Sequence, residues 1–197
     1  ETEGLSIEQL QPMVNNFLKV ACDNHKYQEA VGIALEARLP EQLKSILETA
    51  NNDIGLLQYT LRHIQTTSKT FRKVAAKVVC EQLEQGQQKS YYDLVWVYQF
   101  LQQPSKVAEL LANVDKLTSL QLAFDLQDTG DQAFCKAVAD QLLLLNNNDE
   151  ENDKLLLKIL KGGFVAELAL SFLHKQSKAD RIILETCKSK LEERGSR

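Results

Sequence analysis

The fold of this chain is decided by residues 116–145, which read KLTSLQLAFDLQDTGDQAFCKAVADQLLLL. On either side of Gly130, apolar side chains recur at the three- and four-residue spacing that places them on one face of a helix. The first row is Leu117, Leu120 and Phe124, and the second row is Phe134, Val138 and Leu142. Glycine is typical of helix ends, so the segment predicts two antiparallel helices joined by a short turn.

The same pattern extends outward along the chain in both directions. Phe71, Val74 and Val78 form another such row, Gly86 suits a helix end and Pro104 suits a first helical turn. Counting these segments predicts about twelve helices of ~10 to 18 residues with connections of ~2 to 5 residues. Pairs of helices then repeat every ~30 to 35 residues, the period of a helical-hairpin solenoid. We therefore predict an elongated all-α solenoid of about six antiparallel, degenerate helical hairpins.

The composition supports helices and excludes several classes of protein. The 197 residues are 44% hydrophobic and include only 8 Gly and 3 Pro, which disfavours an all-β fold rich in turns. The net charge of −4 argues against a nucleic-acid partner, because gripping a phosphate backbone needs positive charge. No apolar stretch approaches the ~18 residues of a membrane span, so we expect no membrane association.

We interpret residues 1–197 as one helical-repeat segment of a longer protein, because the chain starts at Glu1 and its only methionine is Met13. Residues 1–11 are expected to be frayed or irregular, and residues 146–153 to form an acidic loop. Pro12 lies in an otherwise helical stretch, so a helix either kinks there or begins near it.

The sequence predicts no catalytic, cofactor-binding or metal-binding residues. The histidines lack a second ligand at helical spacing, and the cysteines are far apart, which is typical of reduced, structural thiols. These residues are His25, His63, His174, Cys22, Cys80, Cys135 and Cys187. Residues 161–163, KGG, lack the rest of a phosphate-binding loop and predict a tight turn. We expect no enzyme activity and no small-molecule substrate.

Two apolar segments allow a structural and a functional interpretation. Residues 91–102 carry tyrosines and Trp96 on more than one helix side, which favours packing between neighbouring helices. The alternative is that Trp96 and the tyrosines form an interaction hot spot. Residues 142–145 are four leucines, which we interpret as core, with a ridge that faces a partner as the alternative.

Residues 25–36 read HKYQEAVGIALE and place Gly32 in the middle of a predicted helix. Glycine is a poor helix former, so its presence there suggests close approach by a neighbouring helix. This string closely resembles a helix of the large non-ATPase scaffold family in the base of the 26S proteasome regulatory particle, the non-ATPase subunit two family. Further similarity follows in the family's order. It lies at residues 56–61, 71–72, 122–126 and 157–160, and at Gly163, Glu167, Leu168, Phe172 and Leu173. The resemblance covers residues 13–191, with departures at 146–153 and 161–164.

This resemblance implies the N-terminal helical rod of a non-catalytic scaffold that binds no nucleotide. It further implies assembly with the ATPase ring of the base and with lid subunits, in the cytoplasm and nucleus, for ubiquitin-dependent protein degradation. Two alternatives remain open from the residues alone. Another α-solenoid adaptor, of the vesicle-coat or tetratricopeptide-like kind, has the same helix period, and a helical enzyme or ligand-binding domain would need a closed pocket with clustered titratable groups. On helix periodicity, Leu168 is expected to be buried.

Overall fold

A computed structural model describes residues 7–86, 89–145 and 150–175 of the chain, together with residues 185, 188–190 and 192. Residues 7–175 contain eleven described α-helices, α1 to α11, and the described residues include no strand, which confirms the all-α prediction for that part of the chain. Connections between successive helices are two to five residues long, as predicted. The chain divides into two compact units, Glu1–Leu101 and Gln102–Arg197.

The described residues of the first unit form six helices that pack on their neighbours in the chain. They are α1 (Ile7–Asp23), α2 (Tyr27–Glu36), α3 (Pro40–Thr49), α4 (Ile54–Ile64), α5 (Lys69–Gln85) and α6 (Tyr91–Phe100). Helix α2 packs against α1, α3 and α4, while α5 packs against α3, α4 and α6. Its core includes the fully buried Leu43, Leu47, Leu57, Ile64 and Leu83. Packing on the next helix and the next but one is the arrangement of a helical solenoid.

The second unit repeats this arrangement with five described helices. They are α7 (Pro104–Asn113), α8 (Lys116–Asp128), α9 (Gln132–Leu144), α10 (Glu150–Leu160) and α11 (Gly163–Lys175). Helix α7 packs against α9, α8 packs against α10, and α10 also contacts α9 and α11. Leu126, Leu156, Ile159 and Leu160 are fully buried there. The solenoid prediction is confirmed within each unit, and one continuous, elongated rod stays a prediction.

Capping residues explain where many of these helices begin. Asp53, Asp115 and Asp131 each accept a hydrogen bond from a backbone amide three residues further on, at 2.9 to 3.0 Å. Each carboxylate satisfies an amide that has no partner within its helix. Pro40 and Pro104 occupy the first positions of α3 and α7, where proline lacks only an amide that the helix does not need.

Two predicted boundaries were wrong in part. Helix α1 begins at Ile7 and contains Pro12, so residues 7–11 are helical rather than irregular, and residues 1–6 lie outside the described residues. Helix α10 begins at Glu150, so residues 150–153 form its first turn instead of a loop. Residues 146–149, the remainder of the predicted acidic loop, lie outside the described residues.

The predicted helix face was confirmed in α9 and wrong in α8. In α5 it held for the buried Phe71 but not for Val74. Phe134, Val138 and Leu142 are buried, but Leu117 is 78% exposed and Val74 is also exposed. The buried face of α8 is formed instead by Ser119, Leu122, Ala123 and Leu126. Helix α8 carries apolar residues on two sides, so spacing alone did not identify the buried one.

The expectation of a close neighbour at Gly32 was also wrong. A Cβ atom built at this position meets no other heavy atom within 4 Å. By contrast, Gly130 and Gly162 have φ angles of +77° and +72° in the turns that precede α9 and α11, where glycine is needed for its backbone freedom. No helix among the described residues is long and apolar enough to cross a membrane.

Candidate protein-interaction surface

The titratable side chains of the described region do not form a metal site. His25 Nδ1 lies 3.1 Å from the Tyr27 hydroxyl oxygen, and the His63 ring packs on Tyr59 with ring centroids 4.2 Å apart. The side chain of His174 lies outside the described residues. Within the described ranges, no group of three or more His, Cys, Asp or Glu side chains could hold a metal ion.

Two of the described cysteines, Cys22 and Cys135, lie in environments that oppose ionisation of the thiol. Cys22, Cys80 and Cys135 form no disulfide, and Cys187 lies outside the described residues. Burial, and secondarily the nearby Asp131 carboxylate, raises the pKa of the Cys135 thiol to about 11. Burial and then Asp23 also raise the pKa of Cys22. Because the thiolate is the nucleophilic form, both cysteines are poorly suited to covalent catalysis.

A cleft of about 300 Å³ lies between α4 and α6 in the first unit, and we call it the α4–α6 cleft. Gln58, Leu61 and Arg62 line it from α4, and Tyr92, Asp93 and Trp96 line it from α6. On each helix these positions span about one turn, so helical periodicity turns them toward the same side. The cleft therefore brings aromatic, cationic and hydrogen-bonding groups together.

Of the two charged side chains in the α4–α6 cleft, Asp93 has a hydrogen-bond partner among the described residues and Arg62 has none. Gln58 Nε2 donates a hydrogen bond of 2.8 Å to Asp93 Oδ2, which joins the two helices. Asp93 also lies in the first turn of α6, where the helix dipole favours a carboxylate. Arg62 is exposed and makes no hydrogen bond or ion pair with another described residue. Arg62 lies in the last turn of α4, where the helix dipole favours a cation, but no described side chain pairs with its guanidinium.

The aromatic side chains of α6 divide between core and cleft. Leu94, Val95, Val97 and Tyr98 are buried, which confirms that this helix packs on more than one side. Trp96 is half-buried and stacks on Phe100, with centroids 5.7 Å apart and planes 3° from parallel. The Tyr92 side chain is 60% exposed. The packing interpretation therefore holds for the buried residues of this helix, and an interaction hot spot at Trp96 and Tyr92 stays a prediction.

The sequence indicated the aromatic half of the cleft but missed its polar half. Tyr92 and Trp96 are candidates from the sequence because they lie on a second face of their helix. Gln58 and Asp93 are 35 residues apart, and neither carries a motif. Only the packing of α6 beside α4 places Arg62 near the aromatic side chains.

Other apolar side chains of the described surface form rows on single helices. Met13, Phe17 and Val20 are exposed on α1, and Val165, Leu168 and Phe172 are exposed on α11. The expectation that Leu168 is buried was therefore wrong. In the leucine run, Leu142 is buried whereas residues 143–145 are exposed, so the core interpretation holds for the first leucine alone.

Comparison with known proteins identifies the family to which the chain is similar. Residues 3–177 match the family model described as the N-terminal domain of 26S proteasome subunit RPN2. The chain is 28% identical over 142 residues to 26S proteasome non-ATPase regulatory subunit 1 homolog A of Arabidopsis thaliana. It is 27% identical over 146 residues to 26S proteasome non-ATPase regulatory subunit 1 of Drosophila melanogaster. Both alignments cover 68% of this chain and 14% of the relative.

A third alignment extends over more of the chain. It gives 26% identity over 211 residues to the 26S proteasome regulatory subunit rpn2 of Schizosaccharomyces pombe, covering 96% of this chain and 22% of that protein. The chain thus spans less than a quarter of the length of these curated relatives.

Helices that pack on their nearest neighbours define the class of protein as an α-solenoid. Within that class, the chain belongs to the family of the N-terminal domain of 26S proteasome subunit RPN2, because the family model matches most of its length. The resemblance stated from residues 25–36 is confirmed. The family assignment favours the proteasome interpretation over the vesicle-coat and tetratricopeptide-like alternatives.

Proposed function

We propose that this chain is a non-catalytic scaffold segment of the 26S proteasome regulatory particle. In this role it helps to organise subunits of the base and lid for ubiquitin-dependent protein degradation, in the cytoplasm and nucleus. Its partners are the ATPase ring of the base and lid subunits. The family match over residues 3–177 is the observation that carries the proposal.

The physical character of the described helices supports a scaffold. Helices of a solenoid bury their core against adjacent helices and leave extended surfaces available for other proteins. The described surface presents apolar rows on α1 and α11 and the α4–α6 cleft. The buried Cys135 thiol, whose pKa is raised to about 11, is poorly suited as a nucleophile, which supports a role through shape and surface.

Native purification of the full-length parent protein, tagged at its own gene, tests the function. Quantitative mass spectrometry is expected to recover base ATPases and lid subunits in nearly equal amounts with the tagged protein. Recovery without any proteasome subunit would contradict the proposal. Recovery of vesicle-coat proteins instead would show that the chain is a different adaptor.

A pair of substitutions on α9 tests whether this segment contributes to assembly. In the full-length protein, Val138→Asp introduces a charge at a fully buried position and is expected to unfold part of the second unit. The amount of lid recovered per base should fall. Lys136→Asp introduces the same residue at an exposed position of α9 and should leave the ratio unchanged. An unchanged ratio with Val138→Asp would show that assembly does not need the segment.

A further inference from the structure

We propose that the α4–α6 cleft binds an acidic peptide segment of a partner protein, which presents a carboxylate to Arg62 and a large apolar side chain to Trp96. This inference goes beyond the proposed function, because it concerns a site on the first unit and the chemistry of its occupant. It stands whichever protein supplies the segment.

Charge complementarity determines the acidic character of the occupant. The cleft contains one cation and one anion, but the Asp93 carboxylate already accepts a hydrogen bond from Gln58 and faces the amide end of α6. Arg62 has no described partner, and its planar guanidinium can donate two parallel hydrogen bonds to a carboxylate. An acidic side chain of the occupant supplies an acceptor for this guanidinium. A basic side chain would meet Arg62 with like charge.

The aromatic lining determines the apolar character of the occupant. Tryptophan, tyrosine and arginine are the residue types that contribute most to binding energy in protein interfaces, and the cleft contains one of each. Its volume of about 300 Å³ lies at the lower limit of ligand pockets. That space suits one or two inserted side chains better than a cofactor.

The walls of the cleft are held in place before any partner arrives. The Tyr98 hydroxyl donates a hydrogen bond of 2.9 Å to Glu84 Oε1, which links α6 to α5. Trp96 is supported by its parallel stack on Phe100, while Leu61 at the opposite wall is buried. Because Trp96 and Leu61 are already held in place, their ordering adds little to the entropy cost of binding.

Trp96 makes the test specific, since it is the only tryptophan of the chain and its fluorescence reports on the cleft. The probes are synthetic helical peptides of one host sequence that differ in two guest residues: Glu with Leu, Gln with Leu, Lys with Leu, or Glu with Ser. Fluorescence and isothermal titration calorimetry measure their binding to the full chain. The Glu and Leu peptide is expected to bind about tenfold more tightly than the Lys and Leu peptide.

Substitutions test the contribution of Arg62 to carboxylate binding separately from the contribution of Tyr92 to apolar binding. Arg62→Gln should abolish the preference for Glu over Gln, whereas Arg38→Gln removes the same charge from an exposed residue outside the cleft and should preserve it. Tyr92→Ala changes an exposed side chain and should weaken all apolar peptides without reducing helical circular dichroism.

Four outcomes would overturn the proposal. The first is equal affinity for the Glu and Lys peptides, and the second is an undiminished Glu preference in Arg62→Gln. The third is the absence of binding by any peptide up to about 1 mM, the weak end of specific recognition. If sedimentation shows a dimer that Tyr92→Ala dissociates, the occupant is a second copy of this chain and the peptide assignment is wrong.

Discussion

At Gly32, α2 contains a residue that costs a helix about 1 kcal/mol relative to alanine. Since a Cβ atom at this position meets no heavy atom within 4 Å, adding a methyl group creates no clash. We expect Gly32→Ala to raise the free energy of unfolding by about 0.5 to 1 kcal/mol, because alanine has less backbone freedom to lose. Urea denaturation followed by circular dichroism measures the change.

Gly130 provides the matched control for this prediction. Its Cβ would also meet nothing within 4 Å, but its φ angle is +77°. Gly130→Ala should therefore destabilise the protein by about 1 kcal/mol through backbone strain alone. A loss of stability in both variants would show that Gly32 lies against a neighbour after all.

Gln82 is fully buried in α5, and neither side-chain amide atom has a hydrogen-bond partner among the described residues. A buried, unsatisfied amide costs about 1 to 3 kcal/mol, so Gln82→Met is expected to stabilise the protein by about 1 kcal/mol or more. Chemical denaturation measures this change. Gln28→Met replaces an exposed glutamine of α2 and should change stability by less than about 0.5 kcal/mol. A destabilised Gln82→Met would mean that the amide is satisfied in solution.

Cys135 links stability to alkaline pH. Its pKa is about 11 in the folded chain against an ordinary value of 9.0, so the folded state opposes loss of the thiol proton. The free energy of unfolding is therefore unaffected by this thiol below about pH 9 and falls as the pH rises toward 11, because the unfolded chain loses the thiol proton more readily. The full effect is on the order of 2 kcal/mol.

Urea denaturation at about pH 8 and about pH 10.5 tests this linkage. The parent chain should lose more stability between the two values than Cys135→Ala, which has no thiol to ionise. The cavity left by Cys135→Ala is present at both pH values and cancels in the comparison. An equal loss in both proteins would remove Cys135 as the cause.

At the scale of the element, α8 shows how far its amino-acid pattern determines burial. The periodicity and the Asp115 cap predict that a helix is present and approximately where it begins and ends. They do not predict which side of the helix faces the core, because apolar residues occupy two sides. The neighbours select the side with the small residues Ser119 and Ala123, which lets helices approach closely. Helix α9 has one dominant apolar side, so its buried row could be predicted.

In the α4–α6 cleft, too, the local sequence pattern identifies some of the lining residues but not those that depend on helix packing. Tyr92 and Trp96 could be predicted as candidates because α6 has more apolar residues than one buried side requires. Arg62 could not, because an arginine on an exposed helix side carries no local signal. Its role depends on two helices that become neighbours only through the packing of the hairpins.

A pair of leucines on α8 tests the assigned orientation. Leu126 is 1% exposed and Leu117 is 78% exposed. Leu126→Ala should destabilise the protein by about 2 to 5 kcal/mol, because it removes buried methyl groups and leaves a cavity. Leu117→Ala should cost less than about 0.5 kcal/mol. Differential scanning calorimetry distinguishes the two, and equal effects would show that α8 faces its neighbours differently.

At the scale of the whole molecule, packing that is mainly between near neighbours in the chain makes stability a sum of local contributions. Within the second unit, α8 packs against α7, α9 and α10, and within the first unit, α3 packs against α2 and α5. A cavity in either set should lower protection first in the helices that line it, because amide exchange reports local opening.

Hydrogen exchange followed by mass spectrometry tests this locality with one variant in each unit. Leu126→Ala should accelerate exchange in α8, α9 and α10 while α2 to α5 keep the parental rates. Leu47→Ala, at a fully buried position of α3, should accelerate exchange in α2, α3 and α5 and spare α8 to α10. If either variant accelerates exchange uniformly along the chain, the helices unfold as one cooperative body. Stability would then depend on coupling along the whole chain and not on a sum over neighbouring helices.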